Sequence, residues 1–482
     1  MSNLAILIIM SGLINISLII SIIFIERKKP ESALGWIVTI IFLPFLGFII
    51  YMLFGETFRF EAKKKDRYKL ISDRNYKKTI SNQIKHLVDT EEKVRKIPHV
   101  DLMILNVNNA GSMLTSNNET RLLLSAKEKF EQLEKDIENA KSSINLSYYI
   151  MRSDEVGTLF RDLLVKKASE GVEVRLLYDR FGSNTLPKKF FQPLIDAGGI
   201  VKEYFPTRIW FRPLFNHRNH RKMVIIDGEI SYLGGINIGK EYLGDGKPTP
   251  WRDTHLKLIG SSSNMVQIQF FLDYLFVSDE QIDFSDRETF LKYFPSVESK
   301  GTKDVQIIAS GPDYLEPNVR NAYLKMINNA KKNIYIQTPY YIPDEATQAA
   351  LKIAVKSGVN VKLMIPGIPD KKLVYYVTLS HIQELLEAGI EVYLYEGFMH
   401  SKLVICDDQV VSIGSANIDR RSFSLNFELN AVIYDHEFAI ENIEAFTKDI
   451  EKSKKITYQE FLQRPFRQKV KEQILRLFSP LL

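Results

Sequence analysis

HRKMVIIDGEISYLGGINIG, residues 220–239, and HSKLVICDDQVVSIGSANID, residues 400–419, are two copies of one pattern. Each opens as His-x-Lys-x-x-x-x-Asp, through His220, Lys222 and Asp227 and again through His400, Lys402 and Asp407. The chain has 8 histidines to start such a match, so chance predicts well under one occurrence. In each copy an apolar run follows the Lys, then a turn at Asp227-Gly228 or Asp407-Asp408, then a second apolar run. That run closes on Gly235 to Asn237 in one copy and Ser415 to Asn417 in the other. The spacing predicts a β-hairpin with polar chemistry at its rim, with His and Lys on one face of the strand.

The duplication extends upstream. Ala140-Lys141-Ser142-Ser143-Ile144 returns as Ala330-Lys331-Lys332-Asn333-Ile334, and Tyr148-Tyr149-Ile150 matches Tyr340-Tyr341-Ile342. Gly171 to Val174 matches Gly358 to Val361, and Ala197-Gly198 matches Ala388-Gly389. Each half therefore reads as helix, strand, helix, strand, helix, strand, then the hairpin, which is an α/β alternation. The nearly continuous apolar strands at Val174 to Tyr178 and Val361 to Ile365 suit a sheet covered on both faces. Two halves of domain size would bring the motifs together across a pseudo-two-fold. One active site per chain follows, since each half holds one His of the pair.

The chemistry these residues suit is attack on a phosphodiester. A neutral imidazole is a nucleophile, and a second, protonated one can donate to the leaving oxygen. Lys222, Lys402, Asn237 and Asn417 supply donors for phosphate oxygens. Each imidazole needs an acceptor on its other nitrogen, and carboxylates lie at comparable downstream offsets, Asp253 in WRDTH and Glu428 in NFELN. Asp227 and Asp407 are expected to fix the hairpins and neutralise the lysines. Tyr148, Tyr149, Tyr340 and Tyr341 end strands near the site and suit either a lipid cleft or the core.

At 482 residues and 45% hydrophobic, the chain can bury two substantial cores. A net charge of +6 does not argue for nucleic acid. The charge is instead placed at Lys63 to Lys69, after the apolar N-terminus, and through Lys452 to Arg476. Leu4 to Ile25 carries no charge and would make about 33 Å of helix, against a bilayer core of about 30 Å. Gly35 to Phe54 is a second uncharged run, interrupted by Pro44. No basic residue precedes the first run and no small-x-small site follows it, so a membrane anchor is expected over a cleaved signal. The positive-inside bias puts both termini and the catalytic region in the cytoplasm. From Arg464 to Leu482, apolar residues at spacings of three or four alternate with basic ones. This predicts an amphipathic helix that lies either in the interface of an anionic bilayer or on the protein's own core.

Cys406 is the chain's one cysteine, so no internal disulfide is possible. No zinc spacing, phosphate loop or dinucleotide turn occurs, and no metal or nucleotide cofactor is expected. No feature specifies an oligomeric state.

The duplicated motif resembles the phospholipase D superfamily, and the flanking text resembles its cardiolipin synthase branch. The likeness runs through the N-terminal hydrophobic hairpin, NHRNHRK, WRDTH, PYYIPD, GSANIDRRSF and the closing RPFRQ and LFSPLL. His217 departs from it, as a third histidine beside the first motif. The resemblance implies an α/β fold of two repeated halves, each a mixed sheet flanked by helices, preceded by two transmembrane helices. The expected division is an anchor at 1–56, a basic connecting segment at 57–110, halves at 111–295 and 296–450, and a basic tail at 451–482. The implied activity is transfer of a phosphatidyl group between two phosphatidylglycerols, releasing glycerol, with anionic membrane lipids as partners. His220 would be the nucleophile, because the superfamily usually uses its first motif so, and His400 the acid. The same residues would serve a hydrolysing phospholipase D or a phosphatidylserine synthase. The anchor argues against a nuclease, and two complete motifs argue against an inert scaffold.

Overall fold

The computed structural model describes residues 3–25, 30–54, 74–93, 97–204, 217–244, 250–278, 280, 282–297, 301–477 and 479. They fall into two compact units, Met1–Lys65 with Phe205–His217, and Asp66–Tyr204 with Arg218–Leu482.

In the first unit, helix Asn3–Ile20 continues into a wider helical turn at Ser21–Ile25, and the second apolar run forms two helices, Pro30–Phe42 and Leu46–Phe54. The break falls at Pro44, which cannot donate the helical hydrogen bond. The Pro44 carbonyl accepts from Asn15 Nδ2 at 2.8 Å. Ile22, Ile40 and Tyr51 are buried together, with Trp36 edge-on to Tyr51, while Leu13, Ile16, Phe24, Phe42 and Phe45 are exposed. Among the described residues no helix is long and apolar enough to cross a membrane. The residues expected as the second span are divided into helices of 13 and 9. The basic block Lys63 to Lys69 lies outside the described residues.

The second unit holds a 16-stranded mixed sheet. At its centre Leu114–Leu123 pairs antiparallel with Lys303–Ser310. From Leu114–Leu123 the order outward is His255–Ile259, Ile230–Gly234, Met223–Ile226, Ser143–Tyr148, Glu173–Asp179 and Ile200–Tyr204. From Lys303–Ser310 it is Asn426–Tyr434, Val410–Gly414, Leu403–Cys406, Asn333–Gln337, Asn360–Pro366, Glu391–Tyr395 and Ser453–Ile456. The order repeats, as do the directions: three parallel strands joined through helices, then an antiparallel hairpin. Each half has its own core. One gathers Leu133, Leu146, Phe160, Leu176 and Val224; the other gathers Met326, Ile336, Leu351, Leu363 and Val404. Burying each such side chain contributes about 1.5–3 kcal/mol.

The connecting segment is not merely basic linker. Helix Arg74–Lys93 is pinned to the central strand by Gln83, whose side chain bonds both backbone groups of Leu114, at 2.9 and 3.1 Å. Helix Val100–Ala110 joins the second half through Asn106, which donates to Gln306 and Tyr434. The tail helix spans Phe466–Arg476, and of the tail's expected apolar residues Phe478 and Leu481 lie outside the described residues.

One detail corrects the repeat. Strand pairing sets Ile144 opposite Ile226 and Ile334 opposite Cys406, so Tyr148 corresponds to Thr338, not Tyr340. Met151 bridges Ile238 as Tyr341 pairs Ile418. The two Tyr-Tyr-Ile runs are therefore out of register by letter. Tyr148 and Tyr341 are both core residues, whereas Tyr149 meets the site.

Candidate active site

The His-x-Lys segments lie just before the hairpin strands, which start at Met223 and Leu403, so strand alternation does not aim them. Two short parallel bridges between the halves do. Arg218–Asn219 pairs with Asn426–Phe427, and Phe398–Met399 pairs with Trp251–Arg252. The His220 backbone N–H then donates to Phe427 O at 3.0 Å, and that of His400 to Arg252 O at 2.7 Å.

This crosses the carboxylates between halves. His220, of the first half, directs Nδ1 at Glu428 of the second, 3.0 Å from both oxygens. His400, of the second, directs Nδ1 at Asp253 of the first, 2.6 Å away. An ionised carboxylate there makes Nδ1 the donor, leaving each Nε2 as the reactive lone pair. Burial, the largest influence, lowers both imidazoles to about 4, against the raising effect of their carboxylates. Both are neutral at neutral pH. For Glu428 burial disfavours the charge, but His220 and Lys222 outweigh it and hold its pKa below the usual value.

Lys222 and Lys402 stand in the same pocket of charge. Each acts electrostatically on the imidazole of the opposite motif, and Lys402 also lowers Lys222. Their Nζ atoms donate back to the carbonyls of His220 and His400, both at 2.5 Å. Burial lowers Lys222 to about 7 and Lys402 to about 8. A bound phosphate anion would relieve both the desolvation and the mutual repulsion, which favours such a ligand here.

Asn237 and Asn417 are buried beside the motifs with their amides engaged. Asn237 Oδ1 accepts from Ile150 N at 3.0 Å while its Nδ2 donates to Tyr242 Oη at 2.6 Å. Asn417 Nδ2 donates to Asp419 at 2.9 Å, and its Oδ1 is buried without a partner. Asp227 and Asp407 do not join the cluster. Each sits past a four-residue strand, at φ 53°, where its carboxylate accepts from a row of backbone N–H groups. Those are Lys141, Ser142 and Ser143 for Asp227, and Lys331, Lys332 and Asn333 for Asp407. These bonds tie each hairpin to the start of the neighbouring strand, and neither carboxylate is among the main influences on Lys222 or Lys402. This also explains the repeated Ala-Lys-x-x-Ile run, whose backbone is what they hold.

Apart from Tyr149, the sequence reading missed the aromatic wall. Tyr149 stands edge-on to the His220 ring at 4.9 Å, and Trp251 and Phe398 lie 5.4 and 5.6 Å from His400. These rings supply the desolvation. Trp251 stands two residues before Asp253, and that adjacency was the available signal. His217 enters neither imidazole–carboxylate pair. Among the described residues no three His, Cys, Asp or Glu side chains converge as metal ligands.

A family model described as cardiolipin synthase, phospholipase D-like domain, matches twice, at residues 133–246 and 323–450, one match on each half of the sheet. A phospholipase D–nuclease N-terminal model matches residues 13–56. The major cardiolipin synthase ClsA of Bacillus subtilis is 43% identical over the whole of both chains. The chain belongs to the cardiolipin synthase family. The cardiolipin synthases of Oceanobacillus iheyensis and Staphylococcus aureus (strain N315) are 43% and 41% identical, over 97% and 98% of this chain and 97% and 95% of theirs. Among solved structures, a phosphatidylserine synthase of Haemophilus influenzae aligns with a TM-score of 0.60 at 18% identity, covering 78% of this chain and 98% of that one. That likeness concerns the fold.

The two motifs of this cardiolipin synthase family member differ behind their carboxylates. Ser415 Oγ donates to Glu428 at 2.5 Å, whereas its counterpart Gly235 leaves room for Asp253, and a Cβ there would overlap Asp253 Oδ1. Gly235→Ala is therefore expected to displace the carboxylate from His400 and lower turnover about 100-fold, the scale of an ångström's misplacement. Its melting temperature should move little beside that loss. Unchanged turnover would mean Asp253 does not need its present position.

Proposed function

We propose that this protein is a membrane-bound cardiolipin synthase, joining two phosphatidylglycerols into cardiolipin and glycerol through a phosphohistidine. The observation that carries the reading is the pair of crossed imidazole–carboxylate contacts, in a chain alike over its full length to cardiolipin synthases. His220 Nε2 attacks the phosphorus of the first lipid, a P–N bond forms, and the P–O bond to glycerol breaks. His400, which takes up a proton at Nε2 while Asp253 holds its Nδ1, gives that proton to the oxygen. The hydroxyl of the second phosphatidylglycerol then loses its proton to the now neutral His400 and attacks, breaking the P–N bond. One phosphodiester replaces another, so no energy-carrying cofactor is needed. The shorter contact of Asp253 to His400, 2.6 against 3.0 Å, supports His400 as the group that carries the proton. Lys222 and Lys402 hold the phosphate oxygens, with Asn237 and Asn417 turning to it from their present partners.

The two halves, 111–295 and 296–450, share this one site across a pseudo-two-fold. Residues 1–56 anchor the enzyme as two spans, with the catalytic region on the cytoplasmic side. The exposed Leu13, Ile16, Phe24, Phe42 and Phe45 support a lipid environment for that unit. Purified protein given phosphatidylglycerol alone should yield cardiolipin and glycerol in equal amounts. Acid-labile acyl label, without headgroup label, should be trapped on protein denatured during turnover. Phosphatidic acid as the main product would make the enzyme a hydrolase and overturn the transferase reading.

A further inference from the structure

The tail helix Phe466–Arg476 is mounted with its apolar side outward. It lies across helix Lys372–Ala388, where Lys471 Nζ sits 4.0 Å over the Tyr376 ring and Arg476 bonds Glu384 at 2.7 Å and Ser380 O at 3.3 Å. Glu472 is 1% exposed, held by Arg464 at 2.9 Å and Gln468 at 2.9 Å. The face toward the protein is thus largely polar. The outward stripe is Phe466, Val470, Ile474 and Leu477, exposed by 79, 39, 55 and 78%. Their spacings of four, four and three put them on one side of an α-helix. A helix docked to bury its apolar face would be turned the other way. Exposed Arg467 and Lys471 flank the stripe.

The supporting helix links this surface to the site. It begins beside the second motif, where Asp370 accepts from Tyr340 Oη at 2.6 Å and its charge acts on Lys402. Ile368 and Leu373, at that same end, are 43 and 47% exposed.

We propose that the outward stripe of the tail helix enters the interface of an anionic bilayer, setting the flank of the second half against the lipid surface that supplies substrate. An apolar stripe edged by cations fits anionic headgroups over acyl chains, and the polar contacts with the supporting helix hold it at a fixed orientation. A second copy of the chain would offer the same cations to the same cations. The inference rests on the lipid-substrate reading above.

The test uses the full-length enzyme reconstituted in bilayers. The chain's one cysteine, Cys406, is buried, so Ile474→Cys can carry a polarity-sensitive dye as the accessible thiol. In vesicles containing phosphatidylglycerol the emission should shift to the blue, and acyl-brominated lipids should quench roughly half of it, as expected within about 10 Å of the headgroups. Phe466→Ser with Leu477→Ser should abolish the shift while product formation in mixed micelles continues. A dye that stays water-like and open to iodide would overturn the proposal. So would excimer emission from a pyrene at the same thiol, rising with protein density, which would mark a second copy as the occupant. Micellar product formation by the unlabelled enzyme reports the catalytic reading separately, so each can fail alone.

Discussion

Replacing either His220 or His400 with alanine is expected to lower turnover of phosphatidylglycerol roughly 10⁴-fold or more, and replacing both to cost no more than either alone. The reason is that the histidines are halves of one device. Each lies in the charge field of the other motif's lysine, and each is oriented by the other half's carboxylate. With the nucleophile gone no covalent intermediate forms; with the acid gone glycerol must leave as an alkoxide. Steady-state product formation by the three variants checks this, and two singles that each keep about half the activity would show two independent sites. The pH dependence follows from the same groups. Burial sets both imidazoles at about 4, so protonation of the nucleophile should remove activity as pH falls toward that value. Lys222 at about 7 and Lys402 at about 8 lose their charge as pH rises through those values, so kcat/KM should fall there too. A bound phosphate anion raises both lysines, so the alkaline limb of kcat should lie higher than that of kcat/KM.

The motif letters were enough to find the groups that converge in the candidate site, because His, Lys and the downstream carboxylate recur at comparable offsets in both copies. They also revealed the alternation of strands, because apolar runs and Gly-Val junctions mark strand starts in each half. Two matters could not be read. The exchange of Asp253 and Glu428 depends on bridges two residues long, Arg218–Asn219 and Phe398–Met399, which carry no periodic signal. And the Tyr-Tyr-Ile match is a likeness of letters, whereas strand pairing fixes register by which backbone groups meet, so Met151 and not Tyr149 is the partner of Tyr341. The role of Asp227 and Asp407 was half legible. Proximity in sequence suggested that they neutralise Lys222 and Lys402, but four residues of extended chain carry a side chain over 10 Å away, as about 3.3 Å per residue requires. At the N-terminus, apolar letters run on through Pro44, while the backbone does not.

The crossed carboxylates lead to the second large effect. Asp253→Asn should resemble His400→Ala, and Glu428→Gln should resemble His220→Ala, although in sequence each carboxylate follows the other histidine. An amide can present either a donor or an acceptor to Nδ1 and so no longer fixes the tautomer; each change should cost roughly 10³–10⁴-fold in turnover, as at other imidazole–carboxylate pairs. Loss of the carboxylate also removes what raises each buried imidazole, so Asp253→Asn makes a protonated His400 scarcer still. The pairs separate on a diester whose leaving group is nitrophenolate, which departs without a proton. The initial burst of nitrophenolate should survive largely intact in Asp253→Asn and His400→Ala, because only acid catalysis is missing. It should be lost in His220→Ala and strongly reduced in Glu428→Gln, because the attacking imidazole is absent or misaimed. If Asp253→Asn and His400→Ala instead lose the burst while Glu428→Gln and His220→Ala keep it, the nucleophile is His400 and the roles of the two motifs are reversed. If each carboxylate variant follows the histidine of its own half, with the histidine variants behaving as stated, the crossing does not operate during turnover.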